Sequence, residues 1–330
     1  MNNKKMIILC IIATLIVLLI EGIAIAQIGQ LEDEYPEKAI TLVHAFGFGG
    51  GGDTFNRNIA VPAGRLAGVP VNCINVTGGS TTSAVAYLLN QPADGYTLAG
   101  FVSTYALDEA YGRYDKPFLE SFIPIIGIAS DEAQIYVRKD SPFKTFEQFV
   151  GYAKENPGEI KIAGSGAGDT REIGVREIFE AVGAEVTYVP FVGGTSLIIP
   201  ELLTGRIDAS YDMKSSMLSL LESGEVRMLV TSGDERMKDF PDVPTFKELG
   251  YTNLHLALFR GIFGRSDIPA ERIKYLHNLF YEAMKTQQFL AIAEALGTNL
   301  NYRSSEELTE YIRGATDVYK DILKKVGYID

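Results

Sequence analysis

At 330 residues the chain is about twice the length of an ordinary domain, so two packed units are expected. Its 46% hydrophobic and 22% charged residues, with 33 Gly and 13 Pro, are the composition of a folded globular protein and exclude disorder. A formal net charge of −12 without clustered Lys or Arg disfavours nonspecific nucleic-acid binding, while a local nest of backbone N–H groups remains able to hold an anion.

Lys4 and Lys5 precede an apolar run from Met6 to Ile20, and Ala24-Ile25-Ala26 offers an A-x-A site before Gln27. Residues 1–26 therefore read as an export signal, cleaved between Ala26 and Gln27. The competing reading is an anchor helix left in place, but the run falls short of the roughly 20 residues that span a bilayer, and Glu21 interrupts it. Cys10 sits too early in the run for an ordinary lipid-modified N-terminus. After cleavage only Cys73 remains, so no intramolecular disulfide can form, although the exported compartment would permit one.

The rest of the chain alternates short β-rich runs with amphipathic helical stretches, which predicts α/β layers with mainly parallel sheets. Ala39 to Val43 is the first buried strand; it runs into Phe46 to Gly52, and Asp53 then opens a helix carrying Ile59, Ala60, Ala63, Leu66 and Ala67. Val71 to Val76 reads as a strand, Ser83 to Leu89 as a helix, and Tyr96 to Phe101 as a third strand after an Asp94-Gly95 turn. The pattern restarts after Ser141-Pro142. Thr145 is placed to cap a helix from Phe146 to Glu155, which Asn156-Pro157-Gly158 ends. Ile160 to Ala163 leads into Gly164 to Gly168, a helix to about Val182, a strand at Glu185 to Val189, and a helix containing Leu197, Ile198, Leu202 and Leu203. Strands at Ile207 to Tyr211 and Val226 to Thr231 complete this unit. Beyond Tyr251 come an apolar strand, Leu256 to Phe263, and helices from Pro269 to Leu296 and from Ser305 to Lys325, which are expected to pack back on the first unit. Crossings at Gln134 to Arg138 and about Leu254 to Phe263 divide the chain into a discontinuous lobe 1 (27–135 plus 254–330) and a lobe 2 (136–253).

Gly47-Phe48-Gly49-Gly50-Gly51-Gly52-Asp53 lies between a strand and a helix, where glycines let the backbone approach a ligand and the helix start favours an anion. It contains G-x-G-x-x-G, yet no Asp or Glu occurs between Asp53 and Asp94 to bind a ribose, and no G-K-[ST] ending follows. Nucleotide binding is thereby disfavoured, and Asp53 reads most simply as an N-cap. Gly164-Ser165-Gly166-Ala167-Gly168 occupies the corresponding position in the second unit, with Asp169 as a cap and Arg171 either reaching a ligand or remaining solvated. Ser103, Thr104 and Tyr105 follow the third strand at its C-terminal end, where they either cap a loop or meet a ligand. The histidines are His44, His255 and His277, and no G-x-S-x-G, H-E-x-x-H or C-x-x-C pattern accompanies them, so no catalytic residue and no metal ligand is assigned. His44 ends the first strand, within reach of the expected cleft; His277 reads as a surface or boundary residue.

With these residues in place the chain resembles the extracytoplasmic receptors of the tripartite tricarboxylate transporter family, the Bug or TctC receptors. The marks are Tyr35-Pro36-Glu37-Lys38-Ala39-Ile40, the Gly49-Gly50-Gly51 to Asp53 turn with Arg57, and Ala93-Asp94-Gly95-Tyr96-Thr97-Leu98. Further along come Val189-Pro190-Phe191 with Gly193, Leu203-Thr204-Gly205-Arg206-Ile207-Asp208, and the most specific run, Pro241-Asp242-Val243-Pro244-Thr245-Phe246-Lys247-Glu248-Leu249-Gly250. The resemblance implies a two-lobe Venus-flytrap fold of the type II periplasmic-binding class, with no cofactor and no catalysis. It implies a monomeric periplasmic receptor that delivers a small carboxylate to a large and a small integral membrane subunit. It places the carboxylate between the first turn (Phe46, Gly47, Phe48, Gly49, Gly50, Gly51) and the second (Gly164, Ser165, Gly166, Ala167, Gly168, Asp169), helped by Ser103, Thr104 and Tyr105 and by Phe191, Gly193 and Gly194. Thr170, Arg171, Tyr211 and Asp212 complete the candidate set. Backbone donors at Gly50 and Gly166, more than any one Arg or Lys, are expected to hold the principal carboxylate.

Departures from the family pattern bear on the ligand. His44-Ala45 stands where Pro is common, Phe48 replaces a small residue and is expected to narrow the pocket or stack on a ligand, and Phe259 with Arg260 stands where a tryptophan is frequent. Asp169-Thr170-Arg171-Glu172 follows the second turn in place of small or hydroxyl residues and a histidine. A carboxylate-sensing domain that feeds a signalling system is the alternative function; an enzyme ranks behind both.

Overall fold

The computed structural model describes residues 35–330 apart from 50, 165, 192–194, 253, 255, 257, 296 and 297. The export signal, Cys10, Gly50, Ser165, Gly193, Gly194 and His255 thus lie outside the described residues. In chain order the elements begin β1 (Ile40–His44), α1 (Gly51–Ala67), β2 (Val71–Asn75), α2 (Thr82–Leu89), β3 (Thr97–Val102), α3 (Thr104–Ala110), α4 (Phe118–Ser121) and β4 (Phe122–Asp131). Next come β5 (Ala133–Arg138), α5 (Phe146–Glu155), β6 (Lys161–Gly164), α6 (Thr170–Val182), β7 (Thr187–Pro190), α7 (Thr195–Leu203), β8 (Ala209–Met213), α8 (Lys214–Glu222) and β9 (Val226–Thr231). The chain closes with β10 (Leu258–Arg265), α9 (Ala270–Met284), α10 (Gln287–Ala295), β11 (Leu300–Arg303) and α11 (Ser305–Lys325).

Two mixed sheets result. The six-stranded sheet has the order β11-β4-β10-β3-β1-β2 and the five-stranded sheet the order β7-β6-β8-β5-β9. Strands with short βα connections pair in parallel: β1 with β2 and β3, and β6 with β7 and β8. The antiparallel strands are β10, against β3 and β4, β11 against β4, and β5 against β8 and β9. Glu132 is the one residue between β4 in the first sheet and β5 in the second, so the first of the two crossings between the sheets is made at a single carboxylate, and the chain returns between β9 and β10.

Each sheet is buried on both faces, which is why its central strands read as nearly continuous apolar runs. On the six-stranded sheet, Ile40 and Leu42 pack with Phe55 and Ile59 of α1 and Leu276, Leu279 and Phe280 of α9, while Val43 and Phe101 pack with Leu308, Ile312 and Ile322 of α11. On the five-stranded sheet, Ile135 and Ile162 meet Phe146, Phe149 and Ile178, and Tyr136 and Ala163 meet Ile198, Leu202 and Met217. No helix among the described residues is long and apolar enough to cross a membrane.

Capping chemistry explains several boundaries. The Thr145 side chain accepts from the Gln148 N–H and opens α5, as the sequence predicts. Ser304 and Glu307 form a reciprocal capping box at the start of α11. The helix expected from Pro269 to Leu296 is instead two, because the Thr286 hydroxyl accepts from the Phe289 N–H and starts α10 afresh. Strand β4 and strand β11 have no counterpart in the sequence reading, and the expected loop at Ser103 to Tyr105 is the opening of α3.

Candidate functional site

The first glycine-rich turn leaves β1 and enters α1 at Gly51, two residues before the expected start. Asp53 is therefore not an N-cap. It lies inside the first helical turn, and its carboxylate reaches back to accept from the Gly49 N–H at 2.9 Å. The same carboxylate accepts from Arg57 Nε at 2.9 Å and Asn75 Nδ2 at 2.8 Å. Asn75, at the end of β2, also donates to the Phe46 carbonyl and accepts from Arg57, each at 2.8 Å. Burial alone would raise the Asp53 carboxyl, but the hydrogen bonds from Arg57, Gly49 and Asn75 win and hold it at about 2. The turn is thus fixed from inside by a permanently charged group that is 1% exposed.

His44 does not reach a cleft. It is buried, its Nδ1 lies 3.3 Å from Asn56 Nδ2, and burial lowers its pKa. A Cβ on Gly52 would stand 2.6 Å from His44 Cε1, so helix α1 can lie over the ring only with glycine there. Phe48 is 80% exposed and faces the Arg57 guanidinium at 4.9 Å, which corrects the expectation that it narrows the pocket. Gly47 is exposed, and Gly49 adopts φ +83°.

The second turn is filled by its own carboxylates. Asp169 is the expected N-cap of α6, accepting from the Arg171 and Glu172 N–H groups at 2.9 and 3.1 Å, and Glu172 accepts from the Gly168 N–H at 2.8 Å. Gly166 and Gly168 have φ +74° and +68°, and their carbonyls accept from the Tyr188 and Tyr111 hydroxyls at 3.0 and 2.8 Å. Ala167 is exposed and Thr170 begins α6. Because Tyr111 follows α3 and Tyr328 donates to Glu172 at 2.9 Å, this turn is where the helices of the six-stranded sheet touch those of the five-stranded sheet.

Several candidates are spent internally. Arg171 is neither solvated nor open to a ligand: it is buried and paired with Asp212 at 3.4 Å. Asp212 also accepts from the Met213 N–H at 2.7 Å and from the Thr195 hydroxyl. Tyr211 is buried against Gly174, and the Phe191 N–H donates to the Gly164 carbonyl at 2.9 Å. The Ser103 hydroxyl accepts from the Phe259 N–H at 2.8 Å, and Thr104 is the first residue of α3. Tyr105 is a core residue, fully buried and stacked on Phe101 at 5.5 Å, with a hydroxyl that has no partner among the described residues. Tyr105→Phe is accordingly expected to leave ligand affinity unchanged and to be neutral or stabilising by up to about 1 kcal/mol, since an unpaired buried hydroxyl is a cost; thermal melts of the two proteins check it.

A cleft of about 1080 Å³ opens between the two sheets. Gly49, Thr54 and Phe55 line it from the first turn and α1, Ser130 and Asp131 from the end of β4 with the linking Glu132, and Met213 at the end of β8, Lys214 at the start of α8 and the segment Ser232 to Asp239 after β9 from the other side. Arg260, Asn299, Asn301, Arg303 and Tyr311 complete one wall. Phe259 is fully buried, and it backs Arg303, whose guanidinium lies 4.4 Å from its ring. Arg260 pairs with Asp131 and lies over the Phe55 ring at 5.6 Å. Of the sequence candidates Gly49 lines this cleft; in the second turn Gly168 lies against Tyr111 and Tyr328, and Gly164 against Tyr188. Asn75, Glu132 and Arg303 hold or line the site without having been singled out for it; Glu132 lies two residues before the expected crossing at Gln134 to Arg138.

The tripartite tricarboxylate transporter family receptor profile (TctC) matches residues 56–328. A UPF0065 protein from the gbd 5′ region of Cupriavidus necator is 26% identical over 307 residues, spanning 93% of each chain. A ligand-free TctC solute-binding protein from Polaromonas superposes with a TM-score of 0.81 at 23% identity, covering 88% of this chain and 99% of its own. MatC from Rhodopseudomonas palustris, solved with bound malate, gives a TM-score of 0.67 at 22% identity over 88% of this chain and all (100%) of its own. At such identities the structural likeness is one of fold.

Proposed function

The chain belongs to the tripartite tricarboxylate transporter receptor family, a family of solute-binding receptors rather than enzymes, and from that premise we propose that it captures a small carboxylate between its two sheets and delivers it to the membrane subunits of a tripartite transporter. In this reading residues 27–135 plus 254–330 form one lobe and 136–253 the other, and the chain is exported, cleaved after Ala26, and acts as a monomer. Closure of the lobes would shrink the cleft of about 1080 Å³ around a ligand far smaller than the open space.

The observation that carries the reading is that this cleft is walled by both sheets and roofed by the first glycine-rich turn, whose Gly49 lies on its surface. The bound malate of the MatC structure supports a small carboxylate as the class of ligand. Electrostatics agree: the N-terminal end of α1 carries a partial positive charge, and Gly49, Thr54 and Phe55 beside that end line the cleft. Native mass spectrometry of the exported protein tests the whole reading at once, since it weighs the mature chain and any carboxylate that leaves with it. Adding back a ligand at about 100 times its Kd is expected to stabilise the fold by roughly 2.7 kcal/mol. A protein that carries no carboxylate and whose melting is unmoved by a carboxylate panel would refute it.

A further inference from the structure

We propose that Arg303 binds the second carboxylate of a dicarboxylate ligand whose first carboxylate is held beside the Gly49 turn on the same cleft. The inference rests on the carboxylate-receptor reading and narrows it to di-acids. Its basis is the charge inventory of the cleft. Among the described residues that line it, Lys214 pairs with Asp239 at 3.2 Å, Arg236 with Glu248 at 2.8 Å, and Arg260 with Asp131. Lys238 is exposed. Arg303 is partly buried, lines the cleft, and has no carboxylate within ion-pair distance among the described residues.

The guanidinium is nevertheless held in one place. It lies 4.4 Å from the Phe259 ring and 5.2 Å from the Tyr311 ring, and its Nε is buried without a hydrogen-bond partner among the described residues. Strand β4 makes room for it at Gly127, where a Cβ would stand 3.1 Å from Arg303 Cβ. Aromatic faces orient a guanidinium and attract it, but they satisfy none of its N–H donors. A planar fork that is oriented, partly desolvated and without an ion-pair partner among the described residues gains much from a carboxylate, which it can meet with two parallel hydrogen bonds. A purely structural stack would require the side chain for stability and would be indifferent to the number of carboxylates on the ligand.

The test is calorimetry on the mature protein, freed of ligand, with succinate, malate and adipate set against butyrate and hexanoate. The parent is expected to prefer a di-acid. Arg303→Ala should weaken the best di-acid by about 10- to 150-fold, the loss of one charged hydrogen-bonded partner, and leave the mono-acids near their parent values. Arg303→Lys, which keeps the charge but loses the fork, should fall between. Should the alanine variant fail to fold by circular dichroism, Arg303→Lys and Arg303→Gln carry the comparison. Di-acid affinity equal to the parent's in the folded variants, or a parent that binds mono-acids as tightly as di-acids, overturns the role of Arg303 and leaves the receptor reading standing. A parent that binds no carboxylate at all refutes the receptor reading first, and this one with it.

Discussion

Asp53→Ala is expected to destabilise the protein by roughly 3 kcal/mol, the lower end of the cost of breaking a buried ion pair by deleting one partner. The lower end applies because Arg57 is 37% exposed at its side chain and can recover water, whereas Asp53 is 1% exposed. The loss has three parts, since the carboxylate holds the Gly49 N–H, the Arg57 guanidinium and the Asn75 amide, and Asn75 in turn holds the Phe46 carbonyl. Deleting it releases the turn from β2 as well as from α1, so ligand affinity should fall together with stability. Asp53→Asn keeps one acceptor but points an NH2 at a remaining donor, and should lie between the parent and alanine. The pH dependence gives a second readout. The folded carboxyl is held at about 2, below its ordinary value, so its contribution is present above the ordinary carboxylate range and is lost as pH falls toward 2. Denaturant melts of parent and Asp53→Ala should therefore converge between about pH 4 and pH 2; a gap that stays constant over that interval would sink the assignment.

What the sequence revealed and what it hid divide along the range of the interactions concerned. Local signals were legible: the Thr145 and Asp169 caps, the span of α11 from Ser305 to Lys325, and the two glycine-rich turns at strand ends are all where their residue types place them. Strand β4 was hidden because Pro124 and Gly127 punctuate an apolar run that burial on both faces, not alternation, makes into a strand. The start of α1 was hidden because a run of glycines carries no helix signal, although Gly51 and Gly52 are helical. At the site the limit is sharper. Asp53 and Asn75 are 22 residues apart, and Asp131 and Arg260 are 129 apart. Whether a carboxylate in a turn caps its own helix or braces a neighbouring strand is decided by which strand lies beside it. Arg171 shows the same limit: its charge beside a glycine-rich turn suggests a ligand, and only the arrival of Asp212 from β8 shows the charge already used.

Glu132→Gln is expected to stabilise the protein at pH 8 while leaving it unchanged near pH 4.5. Glu132 is the single residue linking β4 to β5, and its carboxyl is packed under Gly233, where a Cβ would stand 2.4 Å from Oε2. Burial pushes the carboxyl up to about 7, against the hydrogen bonds from Thr231 and Asn299, with the Asp234 charge adding to the rise and Lys214 opposing it. A folded value above the unfolded one means that the folded state binds this proton more tightly. Its contribution is fully present below the unfolded value near 4.5 and is lost as pH rises through about 7. The penalty at pH 8 is of the order of 2 kcal/mol, allowing for the part of the side chain that water still reaches. Glutamine keeps an acceptor for Asn299 and carries no charge, so it should abolish that slope. Denaturant melts at half-unit steps between about pH 4.5 and pH 8 would show the parent falling relative to the variant, and parallel curves would show that the carboxyl is ionised throughout. The position makes the outcome functional as well as energetic. A residue whose neutral form is favoured by burial sits where the chain crosses between sheets and on the wall of the cleft, so any motion that admits water to Glu132 favours its ionisation, and ionisation favours that motion.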